Sequence, residues 1–183
     1  MPQAAGWRRC WNSFSRAASP FPVPCGIPEP MGRPRPCSAL ALDVGRRRIG
    51  LAGCDPLGLT VTPLPALQRG AFHHDLARIL DLVQRRSVCA LVVGLPLDFG
   101  QQPTAQAHHC RRYGLRLVRA LAETGRALPL AWVDEHASSW AAAERNGLHG
   151  DRSGRLDSAA AALLLEQWLQ DGPAPTPLGA KPA

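Results

Sequence analysis

A chain of 183 residues with 45% hydrophobic content has room for one domain with tails and enough apolar side chains for a core. The formal charge of +7 and pI near 9.8 rest on arginine, with Lys181 the only lysine, and favour an anionic partner. No apolar run reaches the length of a membrane span, which excludes a spanning helix and gives no sign of a membrane partner. The six cysteines form no Cys-x-x-Cys pair and read as reduced, in a cytoplasm-like compartment.

Residues 1–37 hold five arginines against Glu29, and their stretch "SPFPVPCGIPEPMGRPRP" can propagate neither a helix nor a sheet ladder. They read as a disordered Pro/Arg-rich extension, with Met31 a candidate true start. "SALALDVG" and "IGLAGCD" are short apolar runs around Arg46-Arg47-Arg48, a hairpin signature. "LTVTPLPAL" is a third strand that Pro63 and Pro65 confine to an edge. In "FHHDLARILDLVQRR" the residues Phe72, Leu76, Ile79, Leu80 and Val83 recur at helical spacing. "VCALVVGLPL" reads as a strand buried on both faces, and "TAQAHHCRRYGLRLVRALAETG" as a helix that Gly125 can end. "LPLAWVDE" is the last strand, "SSWAAAERNG" a short helix, "GDRSGR" a polar loop and "DSAAAALLLEQWLQ" the final helix. Residues 171–183 read as a flexible tail. This order predicts an α/β domain over residues 38–170: a five-stranded mixed sheet, its first three strands antiparallel and its later strands parallel, with helices on both faces.

Four acids fall at element ends. Asp43 closes the first strand, Asp134 and Glu135 the last, and Asp157 opens the final helix. If the first and last strands are parallel, Asp43 and the Asp134/Glu135 pair share one rim of the sheet, where α/β proteins gather their active groups. Clustered carboxylates need a cation, and hard oxygen ligands favour Mg²⁺ or Mn²⁺. Two such ions activate a water and stabilise the leaving oxygen of a phosphodiester. Each acid also has a plainer role: Asp43 in the turn before Gly45, Asp157 as a helix N-cap, Asp134 and Glu135 as loop acids. Strand alternation lets only one of Asp134 and Glu135 face the cluster.

Arg46, Arg47 and Arg48 follow Asp43, and Arg152 and Arg155 precede Asp157, so arginine forks suited to phosphate flank two of the acids. Arg111, Arg112, Arg116 and Arg119 read as the exposed face of the second helix. The pairs His73/His74 and His108/His109 read as surface residues, and His136 stands close enough to Glu135 to contact substrate or assist proton transfer.

The motifs "LDVGRRRIGLAGCDPLG", "VVGLPLDF", "VDEHASS" and "LDSAAAALLLEQWL" together resemble the YqgF family, whose members are described as Holliday junction resolvases and as pre-16S rRNA nucleases. The resemblance covers about residues 38 to 170. It implies an RNase H-like fold and metal-dependent phosphodiester hydrolysis, in maturation of the 5′ end of small-subunit rRNA. It carries the family's acids onto Asp43, Glu135 and Asp157 as catalytic residues and metal ligands, with Asp134 the alternative to Glu135. It puts Arg46, Arg47, Arg48, Arg152, Arg155 and His136 against nucleic acid. His136 stands where the family has arginine, and arginines replace the lysines usual before the last acid.

The expected partner is therefore nucleic acid, either precursor rRNA (also within a ribosomal precursor particle) or branched DNA. A resolvase acting on both strands needs a two-fold dimer, whereas an rRNA nuclease can act as a monomer. Two other classes compete. An ATPase or sugar kinase needs a second Asp-x-Gly lobe, which the chain lacks. A nucleic-acid-binding factor with little catalytic activity would need only the basic loops.

Overall fold

The computed structural model describes residues 38–98, 102–134 and 154–179. The elements follow the chain as β1 (Ser38–Val44), β2 (Arg48–Cys54), β3 (Val61–Gln68), α1 (Phe72–Arg85), β4 (Val88–Leu95), α2 (Ala105–Glu123), β5 (Leu130–Asp134) and α3 (Arg155–Asp171). The five strands form one sheet in the order β3-β2-β1-β4-β5. β1 pairs antiparallel with β2, and β2 with β3, while β1, β4 and β5 run parallel. This is the mixed sheet that the element order predicts.

Alternation along the strands builds two different faces. Leu40, Leu42, Val44, Ile49, Leu51, Leu91 and Val93 line one face, and α1 and α2 fill it with Ile79, Val83, Tyr113, Leu117 and Leu121. The other face carries Ala39, Ala41, Ala52, Ala90 and Ala131. These short side chains let α3 sit low on the sheet, with Leu164, Leu165 and Trp168 buried against them. An apolar α3 is thus explained: among the described residues it is the helix that covers this face, while α1 and α2 share the other.

β3 lies at the sheet edge, as Pro63 and Pro65 require, since each lacks an N–H for a further ladder. β5 is the opposite edge. There Thr176 forms an isolated antiparallel bridge with Leu130, exchanging both backbone hydrogen bonds at 2.8 and 2.9 Å. The sequence reading makes this segment part of a flexible tail; an edge strand's unpaired N–H and C=O groups supply the reason it docks. Trp168 Nε1 helps by donating to the Pro173 carbonyl at 2.9 Å.

The cysteines differ in part from the reduced set read from the sequence. Cys54 and Cys110 are free and buried, but Cys89, half-buried at the start of β4, is disulfide-bonded. The short helix read in "SSWAAAERNG" also lies outside them. Among the described residues no helix is long and apolar enough to cross a membrane.

Candidate active site and nucleic-acid interface

The site is built where the β1–β2 hairpin meets the N-terminus of α3. Asp43 stands one residue before the end of β1, on the face of Ala39 and Ala41, so its side chain turns toward α3. Its cross-strand partner is Gly50. A Cβ at Gly50 would fall on the Asp157 backbone carbonyl, with the Ser158 nitrogen at 3.0 Å. Paired residues on antiparallel strands share a face with Cβ positions about 5 Å apart. Gly50 is therefore the gap into which the first turn of α3 packs, directly beside the strand position of Asp43, so Asp43 and Asp157 lie at one rim of the sheet.

Asp157 is not the N-cap. That position is Gly154, whose φ of 93° is left-handed and whose absent Cβ leaves room for Ala66 on β3. Asp157 lies three residues further on, in the first helical turn, where the helix dipole favours a carboxylate. Its Oδ2 meets Arg48 Nε at 3.3 Å. Both side chains are about one-third exposed (31% and 36%), so this pair contributes little to stability and serves mainly to orient the carboxylate. The Ser158 hydroxyl, next in sequence, is buried and has no hydrogen-bond partner among the described residues.

Asp134 is on the other face. Along β5, Ala131 and Val133 belong to the α3 side, so Trp132 and Asp134 turn toward α2. Asp134 consequently does not join Asp43 and Asp157. Glu135, His136 and Arg152 lie outside the described residues. Among the described residues no group of three or more potential ligands is assembled.

Arg46 and Arg47 are exposed at the hairpin tip, and Arg155 is exposed at the first position of α3. The tip is braced by residues to which the sequence reading gave no role. Arg69, just past β3, donates its backbone N–H to the Arg47 carbonyl (3.0 Å) and Nη1 to the Gly45 carbonyl (2.9 Å). The same Nη1 lies 2.7 Å from His109 Nε2, and its guanidinium stacks 4.9 Å from the Tyr113 ring centroid. Gln106 Nε2 donates to the Val44 carbonyl at 2.8 Å. Under Arg69, Asp75 is buried and accepts from Tyr113 Oη and the Gly70 N–H. Burial and the adjacent Asp75 charge push the Tyr113 phenol well above its ordinary pKa, so it stays protonated and donates. His109, read as a surface residue, is half-buried. Desolvation first, then Arg69, Arg112 and Arg46, hold its pKa below the usual histidine value. Only one sequence signal marked this brace: Arg69-Gly70 closes the third strand at the level of the arginine hairpin.

Comparison with known proteins places the chain. A family model described as "RuvX: Holliday junction resolvase" matches residues 37–171. A Synechococcus sp. (strain CC9902) protein is 69% identical over 79% of this chain and 85% of its own length. One from Synechococcus sp. (strain CC9605) is 70% identical over 77% and 86%. One from Prochlorococcus marinus (strain MIT 9313) is 64% identical over 77% and 84%. Each is named "Putative pre-16S rRNA nuclease". Among solved structures, Thermus thermophilus RuvC in complex with a Holliday junction substrate aligns at a TM-score of 0.47 and 17% identity, over 78% of this chain and 99% of that one. The sequence relatives and the family model agree with the motifs in strands β1, β4 and β5 and helix α3: the chain belongs to the RuvX (YqgF) family.

Proposed function

We propose that the protein is a divalent-cation-dependent nuclease of structured nucleic acid, acting on a precursor of 16S rRNA. The observation that carries this reading is the close approach of the Asp157 backbone to Gly50, the cross-strand partner of Asp43, beside a hairpin tip where Arg46 and Arg47 are exposed. The names of the relatives support the RNA substrate, and the family description keeps a four-way DNA junction as the second candidate.

The donor set suits a hard cation: two carboxylates on one rim, with an unpartnered buried hydroxyl, Ser158 Oγ, next to one of them. The ion would be Mg²⁺ or Mn²⁺, held by Asp43, Asp157 and Glu135. Glu135 is preferred to Asp134 because the period of two along β5 sets Asp134 on the opposite face. A bound divalent ion activates a water and stabilises the leaving oxygen of a phosphodiester. The chain's own groups do the rest. Arg48 balances and orients the Asp157 carboxylate, and Arg46 and Arg47 grip phosphate with guanidinium forks. As the family resemblance implies, Arg152, Arg155 and His136 would add further contacts to the substrate. A substrate of this kind places the site of action in the cytoplasm, with a monomer sufficient for RNA and a homodimer needed for a junction.

The test is a side-by-side cleavage assay on a 16S rRNA precursor and a four-way DNA junction, with Mg²⁺ and with chelator. Cleavage of the RNA precursor, its loss with chelator, and a loss of about 100-fold or more in Asp43→Asn are expected. Undiminished cleavage by Asp43→Asn refutes the catalytic assignment. Cleavage of the junction alone moves the substrate to branched DNA.

A further inference from the structure

The arginines of α2 do more than coat a solvent face. His109, Arg112, Arg116 and Arg119 follow one another at intervals of three, four and three residues, so they form a single stripe. Ten residues of helix make this stripe about 15 Å long. It begins at the catalytic rim: Gln106 and Cys110 hydrogen-bond the Val44 carbonyl, and His109 meets Arg69 under the hairpin tip. From there it runs away from the rim on the face opposite α3. Its outer part lines a groove of about 590 Å³ between α1 and α2, with Phe72 in the wall and Glu123 at the far end.

Two observations mark the stripe as a binding surface. First, among the described residues Arg112, Arg116 and Arg119 meet no carboxylate within ion-pair distance, although all three are exposed and close in sequence to Glu123. A helix that used these charges only for its own stability would pair them with acids at i+4; Arg85 and Asp81 on α1 do so at 2.7 Å. Second, the stripe is held in place. Arg116 lies 3.8 Å from the Phe72 ring centroid, and Phe72 is fixed edge-on against Tyr113 at 5.9 Å. The side chain is thus pre-ordered over an aromatic ring. The lowered pKa of His109 fits the same picture: burial is its first cause, and the charges of Arg69, Arg112 and Arg46 add to it.

We propose that this stripe is a track for the sugar–phosphate backbone of the nucleic-acid segment flanking the scissile bond, with Arg112, Arg116 and Arg119 each gripping a phosphate. The proposal rests on the nuclease reading above and adds to it a second contact surface on the α2 side of the sheet. Substrate entering at the hairpin tip would turn over the rim and lie along α2. Guanidinium contacts to phosphate carry affinity and register but no sequence preference, which suits a strand that only has to be positioned.

The experiment measures binding without cleavage, in chelator, by fluorescence anisotropy. The probes are a labelled RNA hairpin with a long single-stranded extension and a labelled four-way DNA junction. The variants are Arg112→Gln/Arg116→Gln/Arg119→Gln, the double variant Arg112→Gln/Arg119→Gln, which keeps Arg116 on Phe72, and the triple lysine variant. The slope of log K against log salt should fall by about 2 to 3 in the triple glutamine variant and about 1.5 in the double one, as three or two phosphate contacts disappear. The lysine variant should keep most of the slope. Thermal unfolding checks that each variant is folded, and the double variant decides the matter if the triple one is not. An unchanged slope on both probes in the folded double variant overturns the proposal. Cleavage by Asp43→Asn, measured separately with Mg²⁺, distinguishes the two readings. If that variant cleaves like wild type, the catalytic assignment fails while the slope result for α2 stands.

Discussion

Gly50→Ala should damage stability and cleavage together, because one missing Cβ holds open both the core and the site. The new methyl would fall on the Asp157 carbonyl, within 3.0 Å of the Ser158 nitrogen as well. Both atoms are backbone, in the first turn of a helix whose next residues are buried, so no side chain can swing aside. Overpacking of this kind costs about 3 kcal/mol, at the upper end of its usual range. For a domain of this size that is a fall of roughly 6–12 °C in Tm. Relief requires α3 to lift from β2, which carries Asp157 away from Asp43. A displacement of the order of 1 Å in a catalytic group can lower the rate about 100-fold. The assay is thermal unfolding followed by cleavage measured well below the lowered Tm, so that the folded variant is compared. Gly70→Ala is the control, since a Cβ there meets nothing within 4 Å. A Gly50→Ala protein that melts like wild type and cleaves at the same rate would refute the close approach of α3 to β2 and, with it, the geometric case for the paired acids.

Two further outcomes follow from the same contacts. Trp168→Ala removes a side chain that is 2% exposed and frees the Pro173 carbonyl, so a loss of about 3–5 kcal/mol is expected. Hydrogen exchange should show the Leu130 and Thr176 amides deprotected along with it, and continued protection would show that the tail docks independently of Trp168. His109 titrates below its ordinary value of 6.5 because burial and three arginines oppose its charge. The folded state then binds fewer protons than the unfolded chain, so stability is complete above that value and declines as pH falls below it, levelling off once the folded pKa is passed. His109→Gln should flatten this part of the profile in denaturant unfolding between about pH 5 and 8, and parallel profiles for the two proteins would refute the assignment.

Much of the fold is legible in the chain because its signals are local. Prolines 63 and 65 mark an edge strand, two short apolar runs around three arginines mark the β1–β2 hairpin, and the continuous valine-rich run marks a strand covered on both sides. The same periodicity separates Asp134 from Glu135 as residues of opposite faces. What local pattern cannot carry is distance between elements. Asp157 has the composition of an N-cap, yet the cap is Gly154, because contact with Ala66 leaves no room for a side chain there. The last residues look too rich in proline to be ordered, yet Thr176 pairs with Leu130, since only the assembled sheet creates an edge that needs covering.

The arginines show the division most clearly. Sequence alone determined that this is a basic α/β chain, with acids at strand and helix ends, an arginine hairpin and the motifs of its family. It could not distinguish an arginine that coats a helix from one that lies in a groove, because both satisfy the same helical period. Tertiary structure decided that. Packing α2 against α1 sets Phe72 beneath Arg116, and the hairpin brings Arg69 to His109 across forty positions of chain. Gly50, an ordinary strand residue in the sequence, becomes the point where two acids 114 residues apart are brought to one rim, because the absence of a single carbon lets a helix touch the sheet.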